Sequence, residues 1–487
     1  MSEALLNPIF YADFYKVGHV VQYPKGTQQV WSNWTPRTSR VHGQLDVVHF
    51  GLQYFIKKYL IDQFQDHFFD VPWTTIERGY TEFIRATLGV EKPKIDHLWW
   101  LHQMGYLPLN IYGVPEGDST PLGCPSVVLT NTHEDFFWLP NYFETLLSMT
   151  LWKPSTSATT AKRLRRICER HATAFGETDL SFVDWQMHDF SMRGMSGLED
   201  AVLSGMGHLL SFSGTDSIPA ILAAHKYYGA GAAVGGSVPA TEHSVMSAGT
   251  KEGEFETFKR LITQVYPSGV LSVVSDTWDL WKVLTDYLPR LKGEVLARDG
   301  KLVIRPDSGD PVLIISGDES NSDPRIRKGA MELIADAMGT DGQGHITKAG
   351  AIYGDSINEE RADAILSRLR AKGLSPFNMV FGVGSFTYEF KTRDTYGFAM
   401  KATAVRRGGE VVPIFKDPVT DDGGKRSHRG IVAVYEDEFS VGGRPGYVWA
   451  DGRRPEDLDN CAFRKVYSNG ELLVDESFDE IRKRVRA

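Results

Sequence analysis

The chain has 487 residues, enough to bury a large core and to form two or three domains, or one barrel with additions. Its 42% hydrophobic and 24% charged residues exclude wholesale disorder, and 62 acidic against 53 basic residues (net −9) argue against general nucleic-acid binding. Three cysteines without metal-type spacing, no basic-then-apolar leader and no bilayer-length apolar run predict a cytoplasmic protein with no membrane segment.

Near the start, Asp13-Phe14-Tyr15-Lys16 precede His19 and Tyr23-Pro24, and Arg37 stands in Thr35-Pro36-Arg37-Thr38. Taken alone, Tyr15 reads as a packing aromatic. The apolar spacing Leu52, Phe55, Ile56, Tyr59, Leu60 is helical, whereas Leu109 to Val114 and Ser126 to Thr130 read as strands. Asn141 to Trp152 is an apolar helix candidate. Ser155 to Ala174 is another, and its Lys162, Arg163, Arg165, Arg166 and Arg170 read most simply as a solvated face.

After about residue 180 short apolar runs end in polar, glycine-flanked residues, and helical stretches separate most of them. The run ends are Met187-His188-Asp189-Phe190-Ser191-Met192-Arg193-Gly194, Phe212-Ser213-Gly214-Thr215-Asp216 and Val273-Val274-Ser275-Asp276. Later come Val303-Ile304-Arg305-Pro306-Asp307-Ser308-Gly309, Ile352-Tyr353-Gly354-Asp355-Ser356 and Val380-Phe381-Gly382-Val383-Gly384-Ser385. This alternation predicts a parallel sheet, and so many units favour an irregular α/β barrel over an open doubly wound sheet. In a barrel the strand C-terminal ends share one mouth. The tail returns to β character from Gly397 to Thr403 and Val411 to Phe415. With the first ~150 residues it supplies a second, smaller, mostly-β (α+β) domain. The predicted division is 1–150, 151–395 for the barrel, and 396–487.

Between the second and third run ends lies Gly235-Gly236-Ser237-Val238-Pro239-Ala240-Thr241-Glu242-His243-Ser244. It reads as a turn opening a helix at Pro239, with His243 about one turn inside. A neutral histidine at an anion-attracting helix start suits a nucleophile or proton carrier; the plainer reading is a surface histidine beside a capping turn.

In one mouth the run ends have a definite chemistry. Arg193, Arg305, Arg393, Lys401, Lys416 and Lys425, near glycine-rich turns, suit several phosphate groups at once. Asp307 and Gly354-Asp355 suit ribose hydroxyls, and Asp276 suits a magnesium ion bridging phosphates. Asp216, ahead of Ser217 and Pro219, also stands in an ordinary capping context. No Walker-type loop, G-x-S-x-G elbow or H-E-x-x-H helix is present, and the glycine spacing near Gly382 is too weak for a dinucleotide fold.

These residues resemble the nicotinamide phosphoribosyltransferase family. The resemblance lies in His188-Asp189-Phe190…Arg193-Gly194, Gly214-Thr215-Asp216, Ser237-Val238-Pro239-Ala240…Glu242-His243-Ser244 and Arg305-Pro306-Asp307-Ser308-Gly309. It continues through Asp13…Tyr15-Lys16, Tyr353-Gly354-Asp355, Thr392-Arg393-Asp394, Phe415-Lys416-Asp417-Pro418 and Ser477-Phe478-Asp479-Glu480-Ile481-Arg482-Lys483, in order along nearly the whole chain. It implies an irregular α/β barrel with a smaller domain, working as a homodimer with shared sites. The implied reaction joins nicotinamide to phosphoribosyl pyrophosphate, giving nicotinamide mononucleotide and pyrophosphate in NAD salvage, with Mg2+ and with ATP as co-substrate.

By the same resemblance, Phe190 and Tyr15 of the partner subunit sandwich the pyridine ring, with Arg305 beside it and Asp216 accepting from its amide. Asp307, Gly354 and Asp355 hold the ribose, and Gly384, Ser385, Arg393 and Lys401 the 5′-phosphate. Arg193, His243, Asp276 and Arg305, with Arg37, Lys416 and Lys425, surround pyrophosphate and an ATP phosphate, and His243 is the residue ATP phosphorylates. Ser385 stands where the family commonly has glycine and Ala399 where a serine usually contacts phosphate, and the loop before Lys425 is one residue longer. The competing readings are a nicotinate phosphoribosyltransferase, a silent nucleotide-binding relative and a phosphate-binding barrel lyase. The last would want a Schiff-base lysine or paired general acids at strand ends, and neither is conspicuous.

Overall fold

The alternation of apolar runs and helices after residue 180 folds as a curved parallel sheet. In the computed structural model, which describes residues 6–416, 427–437 and 446–487, this sheet belongs to a unit made of Ser157–Leu222 and Ala232–Phe390. Its six strands run in the order Gly214–Thr215, Met187–Asp189, Met379–Val383, Ala349–Tyr353, Leu302–Arg305, Leu271–Val274, every pairing parallel. Parallel strands covered by helices are buried on both faces. Met187, Val273, Ile304, Ala351 and Phe381 accordingly have 1% exposure or less. Ile334 of helix Ala330–Met338 and Ile365 and Leu369 of helix Glu359–Ala371 join the same core. Each such side chain contributes roughly 1.5–3 kcal/mol through burial.

The strands Gly214–Thr215 and Leu271–Val274 end the sheet at opposite edges, and one segment pairs with both. Thr215 N donates to Gly236 O and Gly236 N to Ser213 O, each at 2.9 Å. On the other edge Thr241 N donates to Ser272 O at 3.0 Å and Ser272 N to Pro239 O at 2.9 Å. The irregular α/β barrel is thus six regular strands and one irregular stave. Pro239 does not open a helix, because its carbonyl belongs to this ladder. The helix begins at His243 after Glu242 and ends at Ala248.

The basic run on the long helix is not merely solvated. Arg163 Nε reaches both carboxylate oxygens of Glu359 at 2.8 Å, Arg165 pairs with Glu169 and Asp184 at 2.7 Å, and Arg170 pairs with Asp363. Asp184, Glu359 and Asp363, from other segments, are thereby tied to this one helix.

The other unit comprises Met1–Thr156, Ala223–Gly231 and Lys391–Ala487, and holds slightly more of the chain. Its seven-stranded antiparallel sheet has the order Glu410–Pro413, Ala399–Arg407, Thr27–Thr35, Val127–Asn131, Leu109–Gly113, Arg464–Ser468, Glu471–Leu472. Strands from both ends of the chain pair directly, with Asn33 opposite Lys401 and Trp34 opposite Met400. Trp31, Tyr112, Val128, Ala404, Ile431 and Val434 form its core.

The helices expected over 141–152 and 155–174 merge into a single helix, Glu144–Phe175, of 32 residues with Pro154 inside. A proline here removes one helical N–H donor and crowds the preceding turn. Gly51 gives its ring room, since a Cβ at that position would come 2.7 Å from Pro154 Cγ. No helix among the described residues is long and apolar enough to cross a membrane.

Candidate active site

Phe190 follows the Met187–Asp189 strand, its N–H donating to Val383 O at 3.0 Å. Its ring lies across two glycines of neighbouring strands. A Cβ on Gly382 would come within 2.2 Å of a ring carbon, and one on Gly354 within 3.2 Å. Only a residue without a side chain lets an aromatic plate lie flat at this point. Asp307 Oδ1 is 3.3 Å from the same position on Gly354, so carboxylate and ring border one strand end.

Asp276, two residues beyond Leu271–Val274, has a side chain only 6% exposed. Its Oδ2 accepts from Asp307 N at 2.8 Å and from Ser308 Oγ at 2.6 Å, while the buried Oδ1 has no hydrogen-bond partner among the described residues. That orphan oxygen is 3.8 Å from His243 Nε2. His243 Nδ1 is 3.1 Å from Thr277 Oγ1, so Nε2 is the nitrogen left for chemistry. The Arg305 carbonyl accepts from Ser275 N at 2.9 Å, and its Nε is buried without a partner among the described residues.

Burial pushes the Tyr353 hydroxyl far above its usual range, and the charges of Asp355, Asp276, Asp307 and Asp310 add to the shift. A mouth this acidic holds phosphates only with added cations, from Arg193, Arg305 or a divalent metal. Among the described residues no three His, Cys, Asp or Glu side chains gather as a metal site. A magnesium ion would fit through one carboxylate, such as the orphan oxygen of Asp276, completed by phosphate oxygens and water.

Asp216 is exposed; its N–H donates to Asp189 O at 3.0 Å and its Oδ1 accepts from Ser237 Oγ at 2.5 Å. The local capping bond is made instead by Thr215, whose Oγ1 accepts from Ser217 N at 3.0 Å. Burial lowers the His188 imidazole to about 4, so it stays neutral. Arg193 is exposed on the turn Met192–Gly194, and a Cβ on Gly194 would come 2.1 Å from Ser385 Oγ. Ser385 opens the helix Ser385–Tyr388 after Gly384, and Asp355 is exposed beside Gly354.

The remaining expected residues lie in the two-ended unit. Tyr15 is 58% exposed, with Lys16 Nζ 4.9 Å from its ring centroid; Lys16 is buried and paired with Glu144. Lys401 Nζ is 3.8 Å from Glu144 Oε1. Burial lowers the Lys401 amine, Glu144 partly restores it, and Arg37, Lys16 and Lys416 lower it further. Arg37 and Lys401 line one cavity of about 280 Å³ with Ala399 and His428, and Arg37 Nε donates to Gly397 O at 2.9 Å. Arg393 is half-exposed beside Asp394, and Lys416 is exposed. Lys425 lies outside the described residues.

Sequence reasoning assigns no role to Gly382, Thr277, Ser308 or Ser237. The last three share a signal, a hydroxyl residue close to a strand end or to the closing segment, which is weak without the fold.

A family model described as the nicotinate phosphoribosyltransferase (NAPRTase) family matches residues 185–469, and one described as the nicotinamide phosphoribosyltransferase N-terminal domain matches residues 7–67. The chain is 44% identical, over 99% of its length and 97% of the relative's, to an Acinetobacter baylyi protein named nicotinamide phosphoribosyltransferase. A Mycoplasma pneumoniae protein of the same name is 34% identical over 88% of this chain and 97% of its own. Among solved structures, nicotinate-nucleotide pyrophosphorylase from Pyrococcus furiosus has a TM-score of 0.59 at 16% identity, covering 99% of this chain and 95% of that one. Human nicotinic acid phosphoribosyltransferase has 0.57 at 15% identity, with 100% and 92% covered, and at these identities the likeness is one of fold. A model matching more than half the chain, and relatives matching nearly all of it, mean that the chain belongs to the nicotinate phosphoribosyltransferase family.

Proposed function

We propose that the protein transfers the phosphoribosyl group of phosphoribosyl pyrophosphate to the ring nitrogen of nicotinamide, making nicotinamide mononucleotide and pyrophosphate in NAD salvage. The observation that carries this reading is the Phe190 plate, made possible by Gly382, next in the chain to Asp189, whose carbonyl accepts the Asp216 N–H. A flat apolar surface suits a pyridine ring, and the carboxylate suits the two N–H donors of its amide. In a homodimer, Tyr15 of the partner subunit would cover the other ring face.

The C1–N bond forms as the C1–O bond to pyrophosphate breaks, leaving positive charge on the ribose and negative charge on the leaving group. Asp307, Gly354 and Asp355 hold the ribose hydroxyls, and the two aspartate carboxylates favour the developing cation. Gly384, Ser385, Arg393 and Lys401 take the 5′-phosphate. Arg193, Arg305, Arg37, Lys416 and Lys425 neutralise pyrophosphate and an ATP phosphate. Magnesium, when bound through Asp276 and the phosphates, supplies further charge neutralisation. His243 Nε2 attacks the ATP γ-phosphorus as its bond to the bridging oxygen breaks and ADP leaves, with Thr277 fixing Nδ1 and Asp276 beside Nε2.

Nicotinate is the competing base, and its carboxylate would face Asp216. The test is purified protein with phosphoribosyl pyrophosphate, magnesium and either base, with and without ATP. Product with nicotinamide, stimulated by ATP, is expected; product with neither base overturns the reading.

A further inference from the structure

We infer that Asp189 is a second, buried determinant of base choice: it lies beside Asp216 at the neighbouring strand end, and its carboxylate keeps the amide end of the base pocket negative, against an anionic base. The inference rests on the base-pocket reading above and adds a positioning residue to it.

Asp189 ends the Met187–Asp189 strand, and its carbonyl accepts the Asp216 N–H at 3.0 Å, so the two residues are fixed side by side. Its side chain is buried, with the residue only 1% exposed. Oδ1 accepts from Ser191 N at 2.9 Å and Ser191 Oγ at 2.6 Å, whereas Oδ2 has no hydrogen-bond partner among the described residues. Helix Leu198–Leu209 seals it from above through Gly205. A Cβ there would sit 2.6 Å from Ala220 Cβ and 3.2 Å from Asp189 Oδ2.

The titratable groups around it are His188 on its own strand, Asp216 at the next strand end, and Tyr388 on Ser385–Tyr388, whose hydroxyl is 2.6 Å from His208 Nδ1. No lysine or arginine acts on it among the described residues. Burial raises its carboxyl to about 6; the Ser191 bonds oppose the shift and the Asp216 charge adds to it. The negative charge is therefore present above about pH 6 and lost below it.

The experiment measures the ratio of kcat/KM for nicotinamide and nicotinate across pH in wild type, Asp189→Asn and Ser191→Ala. In wild type the ratio should fall about tenfold between about pH 7.5 and about 5.5, mainly through the nicotinate KM. In Asp189→Asn it should be low at neutral pH and flat. Ser191→Ala removes a bond that favours the ionised form, so its fall should begin at higher pH. Infrared difference spectra should show a protonated buried carboxyl appearing in acid in wild type and missing in Asp189→Asn.

A folded Asp189→Asn with the wild-type profile overturns the inference; if that variant does not fold, a Ser191→Ala profile superimposed on wild type does so. A wild type that uses neither base overturns the base-pocket reading and this inference with it. A selective wild type with a pH-flat ratio overturns the inference alone.

Discussion

The roles proposed for Asp216 and His243 each rest on one side chain, so each can be tested by a single substitution. Asp216 is exposed and its carboxylate bonds to Ser237, not to a helix start, so Asp216→Asn should cost little stability, about 0.5–1.5 kcal/mol. Its effect should fall on selectivity. An ionised aspartate accepts from an amide and repels a carboxylate, and its loss should lower the nicotinamide-to-nicotinate ratio of kcat/KM by roughly 100-fold or more. An unchanged ratio would return Asp216 to a structural role. For His243→Ala, acid-labile, base-stable phosphorylation by ATP and the ATP stimulation of turnover should both vanish, with some ATP-independent turnover left to the surrounding cations. Phosphate incorporation at wild-type stoichiometry in the variant would assign the acceptor elsewhere.

The elements carry the geometry that single residues cannot. Because the Phe190 ring rests on Gly382, Gly382→Ala should displace the ring, raise the nicotinamide Kd by calorimetry at least about tenfold, and cost about 1–3 kcal/mol by overpacking. Wild-type affinity in that variant would mean the ring is not the base platform. The strand ends are legible in the sequence, since each apolar run stops at a polar, glycine-flanked residue: Arg305 before Asp307, Tyr353 before Gly354, Val383 before Gly384. Gly382 is not, because what it touches, Phe190, comes from a strand nearly two hundred residues earlier. Two helix boundaries depart from the local sequence signal for a similar reason. Pro239 carries the local signal of a helix start, but its carbonyl is taken by Ser272 across the sheet edge. Pro154 carries the local signal of a helix break, but the missing side chain of Gly51 leaves its ring space. In both cases a tertiary partner outweighs the local preference.

At the scale of the whole molecule, buried titratable groups that are not among the proposed site residues also bear on how it answers to acid. His49 is 2% exposed, and burial lowers its imidazole to about 3. Below its ordinary pKa the unfolded chain binds a proton that the native chain refuses, so this residue's contribution to stability falls as pH drops from about 6.5 towards about 3. In His49→Leu this contribution is absent. The stability of the variant relative to wild type should therefore rise by about 1.4 kcal/mol for each pH unit of acidification over that window, read from denaturant melts at several pH values. Parallel stability curves would place an ionised or solvated histidine there instead. The closing stave has a consequence of another kind. It meets one sheet edge at Gly236 and the other at Ala240, with only Ser237-Val238-Pro239 between, and His243 follows three residues later. The loops of a barrel ordinarily absorb insertions and deletions, but this span has a fixed length. One added residue would leave an edge ladder unpaired or turn the histidine away, so descendants of this gene can vary the segment in side chain and hardly at all in length. Its amides should also trade hydrogen for deuterium together with those of both edges, which makes an open barrel and a disarmed histidine the same event.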